Sequence, residues 1–380
     1  MEKLIAQNFG PIRNVEVQLK DLTIFIGETG TGKSTLAKLV SIFRSADFWE
    51  GDIRKVEFFT SKLDYYQIAN FLEPSTYIKY QSAQGFYFIY NESEIRQDFS
   101  EEILKYLQKF GQIKKDNISI FINELVSSTF KEVIYLPAER SVVSFLSEKY
   151  AALETEFETE RLTDLFPEIL RKFTGTFSKA SSTIRKLYIS LFDVTYQKEN
   201  GKDKIILPNG KKLSLSETAS GLQAIIPTLI VFEYLSQGDT KKSYTFEEPE
   251  LNLFPIAQKS LVELLAEKVL NHGHQMIITT HSPYILTSIN NLLFASKILT
   301  EYPESKEKLV NVSGLNSFIS STDIAIYYLS NDEEVDCSVN LINKETGVIP
   351  DNDLDSASDE IMDVFDSLMS VYRDFKRTTN

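Results

Sequence analysis

Apolar and polar residues alternate along Val15-Glu16-Val17-Gln18-Leu19, the period-two pattern of a half-buried strand. The next run, Leu22-Thr23-Ile24-Phe25-Ile26, is more continuously apolar and predicts a buried central strand. A short strand is expected at residues 3–6, with a turn at Asn8-Phe9-Gly10-Pro11. The period then lengthens: Leu36, Leu39, Val40 and Phe43 fall on one helical face. Residues 77–81 and 86–90 read as a hairpin around Ala83-Gln84-Gly85. Helices are expected near 101–110 and 118–126, and a strand over 133–136. Residues 141–191 are charged and helical in pattern; 192–215 form a hairpin with turns at Asn200-Gly201 and Asn209-Gly210. A helix starts near Ser220, a strand covers 244–246, Leu261, Leu264 and Leu265 mark another helix, and 275–280 is a strand. Ile361, Val364, Phe365, Leu368, Tyr372 and Phe375 predict a separate amphipathic helix. Strands alternating with helices imply an α/β core carrying insertions.

Composition narrows the class. With 380 residues, 42% of them apolar, a sizeable core can form and global disorder is excluded. At about 150 residues per domain, two or three domains are expected, or one core with insertions. A single cysteine, Cys337, excludes an internal disulfide and a zinc ribbon, and fits a reducing, cytoplasmic setting. Three histidines leave little room for a histidine-based metal centre, and His272 and His274 read as surface residues of a turn. The N-terminus shows no secretory pattern. The most apolar stretch, 222–235, is interrupted by Gln223, Pro227 and Glu233 and is too polar to span a bilayer. The net charge of −14 is uneven: residues 291–380 hold 17 acids and 7 bases. The first 290 residues are nearly balanced, so contact with DNA stays open there and is disfavoured beyond.

Gly27-Glu28-Thr29-Gly30-Thr31-Gly32-Lys33-Ser34 matches the phosphate-loop pattern G-x-x-x-x-G-K-[ST], between an apolar strand and an amphipathic helix. Glycines let the backbone curl so that successive N–H groups point at phosphate oxygens. The helix that follows adds the positive end of its dipole. Lys33 would reach the β- and γ-phosphates, Ser34 would offer a hydroxyl to Mg²⁺, and Thr35 is a lesser phosphate contact. ATP and Mg²⁺ are the expected cofactors.

Two further clusters follow. Thr245-Phe246-Glu247-Glu248-Pro249-Glu250 places adjacent acids at a strand end. One acid, Glu247, suits Mg²⁺; the other, Glu248, suits a general base for a water facing the γ-phosphate. Thr279-Thr280-His281-Ser282-Pro283 puts a histidine at the C-terminal end of a strand, where α/β sheets bind ligands.

Taken in order, these segments resemble the soluble branch of the ATP-binding-cassette type of ATPase. That branch includes the structural-maintenance-of-chromosomes, RecF-like and overcoming-lysogenisation-defect groups. The resemblance rests on Asn8-Phe9-Gly10-Pro11-Ile12, the phosphate loop, Ser220-Gly221-Leu222-Gln223, Glu247-Glu248-Pro249-Glu250 with Leu253-Phe254-Pro255, and Thr280-His281-Ser282-Pro283. Tyr135-Leu136-Pro137-Ala138-Glu139-Arg140-Ser141 is similar to a segment of the last group. The acidic pair departs from the family's usual Asp-Glu, and the signature lacks its usual Leu-Ser-Gly-Gly.

The resemblance implies an α/β fold: an ATPase head with a mixed sheet, an antiparallel β-subdomain, a helical insertion and a C-terminal, α-containing appendage. Its expected parts are 1–140, 141–215, 216–295 and 296–380. It implies a homodimer around ATP, with Ser220 and Gly221 capping the nucleotide held by the other copy. Gln81 is a candidate for the family's glutamine loop, and Glu139 with Arg140 for a structural ion pair in preference to a contact with nucleotide. No sustained heptads separate Ser34 from Ser220, which excludes a long coiled-coil arm. Asp351, Asp353 and Asp355 have a nuclease-like spacing but lack the preceding strand and glutamate, so no nuclease domain is expected. The implied function is an ATPase that regulates an effector, such as a nuclease encoded nearby, in anti-phage defence. The alternatives are a RecF-like DNA-binding ATPase, with Arg171, Lys172, Lys179, Arg185 and Lys186 as contacts, and a transporter subunit.

Overall fold

The computed structural model describes residues 1–99, 125–144, 166–238, 240–270, 272–313, 318–331 and 338–350. The chain opens with strands β1 (Glu2–Phe9), β2 (Ile12–Leu19) and β3 (Leu22–Gly27), then helices α1 (Lys33–Arg44), α2 (Ala46–Trp49) and α3 (Val56–Tyr65). Strands β4 (Leu72–Gln81), β5 (Phe86–Asn91), β6 (Glu94–Phe99) and β7 (Glu132–Leu136) precede α4 (Glu168–Thr183). Next come β8 (Lys186–Ile189), β9 (Val194–Glu199), β10 (Lys202–Ile206) and β11 (Lys212–Ser214), then α5 (Ser220–Leu235) and β12 (Lys242–Glu247). The last described part holds α6 (Pro255–Leu265), β13 (Gln275–Thr280), α7 (Pro283–Glu301), α8 (Lys306–Ser313), β14 (Ile324–Leu329) and β15 (Ser338–Asn340).

Six strands form a central sheet in the order β15-β14-β3-β13-β12-β7. All neighbours run parallel except the edge strand β15. A parallel sheet is buried on both faces, which explains its continuous apolar runs. Alternate residues serve two cores. Leu22, Ile24 and Ile26 of β3 enter one, with Ile278 of β13 and Phe246 of β12. Phe25, Ile277 and Tyr135 enter the other. That second core holds the apolar face of α1 and the inner face of an antiparallel sheet, β2-β1-β4-β5-β6. The first holds α4, α5, α6 and α7, with the antiparallel sheet β11-β10-β9-β8.

The mixed sheet and antiparallel subdomain agree with the sequence reading, as does the hairpin, where Gln81 pairs with Tyr87. Three features differ. Residues 186–189, expected to be helical, form β8; the charged flanks of this strand hid its period. His274 is buried rather than at the surface, because its Nδ1 accepts the Lys242 backbone N–H at 3.0 Å. Residues 296–380 stand apart in charge but not in hydrogen bonding: β14 lies beside β3 in the sheet centre, Ile324 opposite Leu22 and Leu329 opposite Gly27. The helices expected at 101–110 and 361–375, most of 118–126, and Asp351 to Asp355 lie outside the described residues. Among the described residues no helix is long and apolar enough to cross a membrane.

Candidate nucleotide site

Three neighbouring parallel strands, β3, β13 and β12, end together and deliver the site. The chain leaves β3 at Gly27 and re-enters order at Lys33, the first residue of α1. Three glycines carry the curl between them, with φ of +148° at Gly27, +85° at Gly30 and +91° at Gly32. A side chain at Gly27 would overlap the carbonyl oxygen of Leu329, and one at Gly32 would meet Ile12 at 2.8 Å. Gly30 faces open space. The rim of the loop, Glu28 to Gly30, is exposed, whereas Thr31, Lys33 and Thr35 are buried and Ser34 is partly exposed.

Lys33 is held by the loop itself. Its Nζ donates to the carbonyl oxygens of Gly27 at 2.9 Å and Glu28 at 2.6 Å. Thr31 Oγ1 donates to the Glu28 carbonyl at 2.9 Å. Burial lowers the Lys33 pKa to about 8, against the pull of Glu248, Glu250 and Glu28. A poorly solvated cation at the start of a helix is a site that an anion stabilises.

The acidic turn follows β12. Thr245 and Glu247 share one face of the strand, and Thr245 Oγ1 lies 2.8 Å from Ser41 Oγ of α1. Ser34 is two turns earlier on that helix, so Glu247 and Ser34 sit on the same side of the sheet. Glu247 is buried, and its Oε2 accepts the Ala138 N–H at 3.3 Å. Beside it, burial and the Glu247 carboxylate push the Tyr135 phenol far up.

Glu248 takes a left-handed φ of +43°. Such a φ is uncommon outside glycine and must be held by its surroundings. Here the Glu248 N–H donates to the Thr279 carbonyl at 2.9 Å. Arg140, fully buried, donates through Nη1 to the Glu247 carbonyl at 2.6 Å and through Nη2 to the Glu248 carbonyl at 2.7 Å. The reversal sends the two adjacent carboxylates in different directions. Glu248 Oε1 meets His281 Nε2 at 3.0 Å. Glu250 Oε1 accepts Thr280 Oγ1 at 2.5 Å and the His281 N–H at 2.9 Å. Its Oε2 is buried with no partner among the described residues, and burial raises its pKa.

The fold therefore brings Lys33, Glu248 and His281 together, with Glu247 on the Ser34 side. Ser220 and Gly221 approach this turn from the other side of the sheet. They begin α5, whose apolar residues enter the core on the opposite sheet face from α1. Gly221 packs against the acidic turn, where a side chain would meet the Asn252 carbonyl at 2.6 Å. Gln81 ends β4 opposite Lys3, whereas Leu72 at the other end pairs with Phe9 near the loop, so it is far from the site. Arg140 clamps the acidic turn rather than pairing with Glu139. Sequence reasoning misses Glu250, whose only sign is its place after Pro249, and gives Arg140 a different part from the one it plays. Arg171, Lys172, Lys179, Arg185 and Lys186 are all exposed.

The profile of the AAA ATPase domain family matches residues 1–65 and 49–286. No curated protein matches the chain. Among solved structures, the SMC head domain from Thermotoga maritima is 12% identical, with 89% of this chain and 97% of that one covered at a TM-score of 0.42. An SmcHead bound to the C-winged helix domain of ScpA is 13% identical, covering 90% and 98% at 0.43. An Smc head domain with an extended coiled coil, bound to the C-terminal domain of ScpA derived from Pyrococcus furiosus, is 12% identical, covering 90% and 96% at 0.38.

Proposed function

Since this chain belongs to the AAA ATPase domain family and is an ATPase, we propose that residues 27–35 bind ATP, that Glu248 is the hydrolytic base, and that nucleotide closes a homodimer. The observation that carries this reading is the Glu248 carboxylate, 3.0 Å from His281 and facing the Lys33 ammonium.

The loop N–H groups and Lys33 take the phosphates, exchanging the Gly27 and Glu28 carbonyls for phosphate oxygens. Ser34 and Glu247 would hold Mg²⁺. The donor set fits that ion: one hydroxyl and one buried carboxylate with spare acceptor capacity, the rest left to water and phosphate. When bound, the ion neutralises charge on the β- and γ-phosphates. Glu248 accepts a proton from a water whose oxygen bonds to the γ-phosphorus. The bond from that phosphorus to the bridging oxygen breaks, and ADP leaves with the electron pair. His281, fixed by Glu248 through Nε2 and by Glu250 through its backbone, orients the water or a γ-phosphate oxygen. The acidic pair here is Glu-Glu, so Glu247 reaches one methylene further than an aspartate.

Ser220 and Gly221 lie on the opposite sheet face from α1, which supports their acting on nucleotide held by a second copy. ATP then bridges Lys33 of one copy and Ser220 of the other, and hydrolysis removes the bridge. The switch would act on an effector or DNA-processing partner, such as a nuclease encoded nearby, in anti-phage defence. Exposure of Arg171, Lys172 and Lys179 on α4 keeps a second reading, direct DNA binding, whose mark would be affinity that falls steeply with salt.

Phosphate release and light scattering test the proposal together. The wild type should hydrolyse ATP, and Glu248→Gln should bind ATP and double in mass. A Glu248→Gln protein that stays monomeric with ATP ends the sandwich model; one that hydrolyses at the wild-type rate ends the assignment of the base.

A further inference from the structure

The opposite end of the central sheet carries a second cluster of charge. Asp21 precedes β3, Lys131 precedes β7, Lys241 precedes β12 and Gln275 opens β13. With Glu2 and Arg44 these residues line a polar cavity of about 340 Å³. It lies one strand length from the phosphate loop, roughly 17–20 Å. Helix α1 spans that distance, with Lys33 at its first residue and Arg44 at its last.

The charges there are unbalanced. Arg44 is buried and gives Nε and Nη2 to the Glu2 carboxylate at 2.8 and 2.9 Å. Tyr80 also donates to Glu2, at 2.9 Å, so Glu2 is already engaged. Arg44 Nη1 is buried without a hydrogen-bond partner among the described residues. Neither Lys131 nor Lys241 has an ion-pair partner there. Burial, with Arg44 and Lys241 close by, lowers the Lys131 pKa. Three cations, Arg44, Lys131 and Lys241, thus face two carboxylates, Asp21 and the already engaged Glu2, and the excess positive charge beside the buried Arg44 edge is one that an added anion stabilises.

We infer that this cavity is a second anion site, built for a small phosphorylated molecule and separate from the nucleotide site. A phosphate monoester brings a charge of about −1.5 to −2 at neutral pH and three acceptor oxygens, enough to serve both lysines at once. A monocarboxylate offers two oxygens to three donor groups, Arg44 Nη1, Lys131 and Lys241. The cavity's volume suits one phosphate group with a few attached atoms.

Trp49 reports on this site. It is the single tryptophan, and its ring stacks on that of Phe130, a cavity residue, at 4.7 Å between centroids. Inorganic phosphate and glycerol phosphate are titrated into the full chain at constant ionic strength, with malonate as the carboxylate control. Saturable fluorescence changes are expected for both phosphates, in the wild type and in Lys33→Ala alike. Affinity should fall at least tenfold in the Lys131→Met, Lys241→Met double variant. That variant should melt no lower than the wild type without phosphate, and phosphate should no longer raise its melting temperature. The single variant Lys241→Glu, at an exposed position, should weaken binding in the same direction. A change that does not saturate, that vanishes in Lys33→Ala, or that survives both lysine variants overturns the site. A response to malonate stronger than to phosphate overturns the ligand class.

Discussion

Arg140 donates to the carbonyl oxygen of Glu248 at 2.7 Å, and so holds a glutamate with φ of +43° in place. Because the same guanidinium also holds the Glu247 carbonyl, Arg140 sets where both carboxylates go. Lysine cannot span two carbonyls as the guanidinium fork does. Arg140→Lys and Arg140→Met should each cut kcat by more than tenfold while ATP affinity stays within a few-fold. Leaving buried carbonyls unpaired should also cost about 1–3 kcal/mol each. Steady-state kinetics with chemical denaturation checks both.

Loss of the base should act on chemistry alone. General-base contributions run to about 10²–10⁴-fold, so Glu248→Gln should lower phosphate release by at least about 100-fold. ATP binding, measured by calorimetry, should remain. His281→Ala should cost less than Glu248→Gln, since it orients rather than accepts the proton.

Glycines of the loop should separate by their surroundings. Gly30→Ala meets only the strain of its φ, about 1–3 kcal/mol. Gly27→Ala meets that strain together with the Leu329 carbonyl. Gly27→Ala should therefore unfold at lower denaturant than Gly30→Ala and lose ATP binding, whereas Gly30→Ala should stay folded.

Glu250 should give stability a pH dependence in weak acid. Its folded pKa is raised by burial, so the folded state binds the proton more tightly than the unfolded state. Its contribution is most favourable below the ordinary carboxylate pKa and is lost as pH rises through the raised value. Thermal unfolding across that range should show the wild type falling with pH more than Glu250→Gln. The amide oxygen of the variant can still accept from Thr280 and from the His281 N–H.

Much of this was legible in the residues. The phosphate loop needed only its spacing and the apolar strand before it, whereas Glu248 and His281, visible at strand ends, needed the family resemblance to stand out. What adjacency alone could not show was how Glu247 and Glu248 part company. That depends on Arg140, more than a hundred positions earlier, and on Thr279. The same reason hid Glu250, whose partners Thr280 and His281 come from another strand. Gln81 was misplaced because a residue type shows nothing of which end of a sheet it occupies. Ile324-Ala325-Ile326-Tyr327-Tyr328-Leu329 is plainly an apolar run, yet the acidic charge around it pointed to an appendage.

Removing residues from 320 onward should therefore not spare nucleotide binding. It would strip β14 from β3 and expose the strand that leads into the loop. Hydrogen exchange should show β3 amides losing protection in the truncated protein.

The position of β14 also sets a timetable. A ribosome makes the chain from its N-terminus, and the phosphate loop emerges among the first tenth of the residues. The strand that backs Gly27 emerges only at Leu329. A nascent chain thus carries its loop long before the wall behind it, so competence for ATP should arrive late in synthesis, and half-made copies should fail to bind nucleotide.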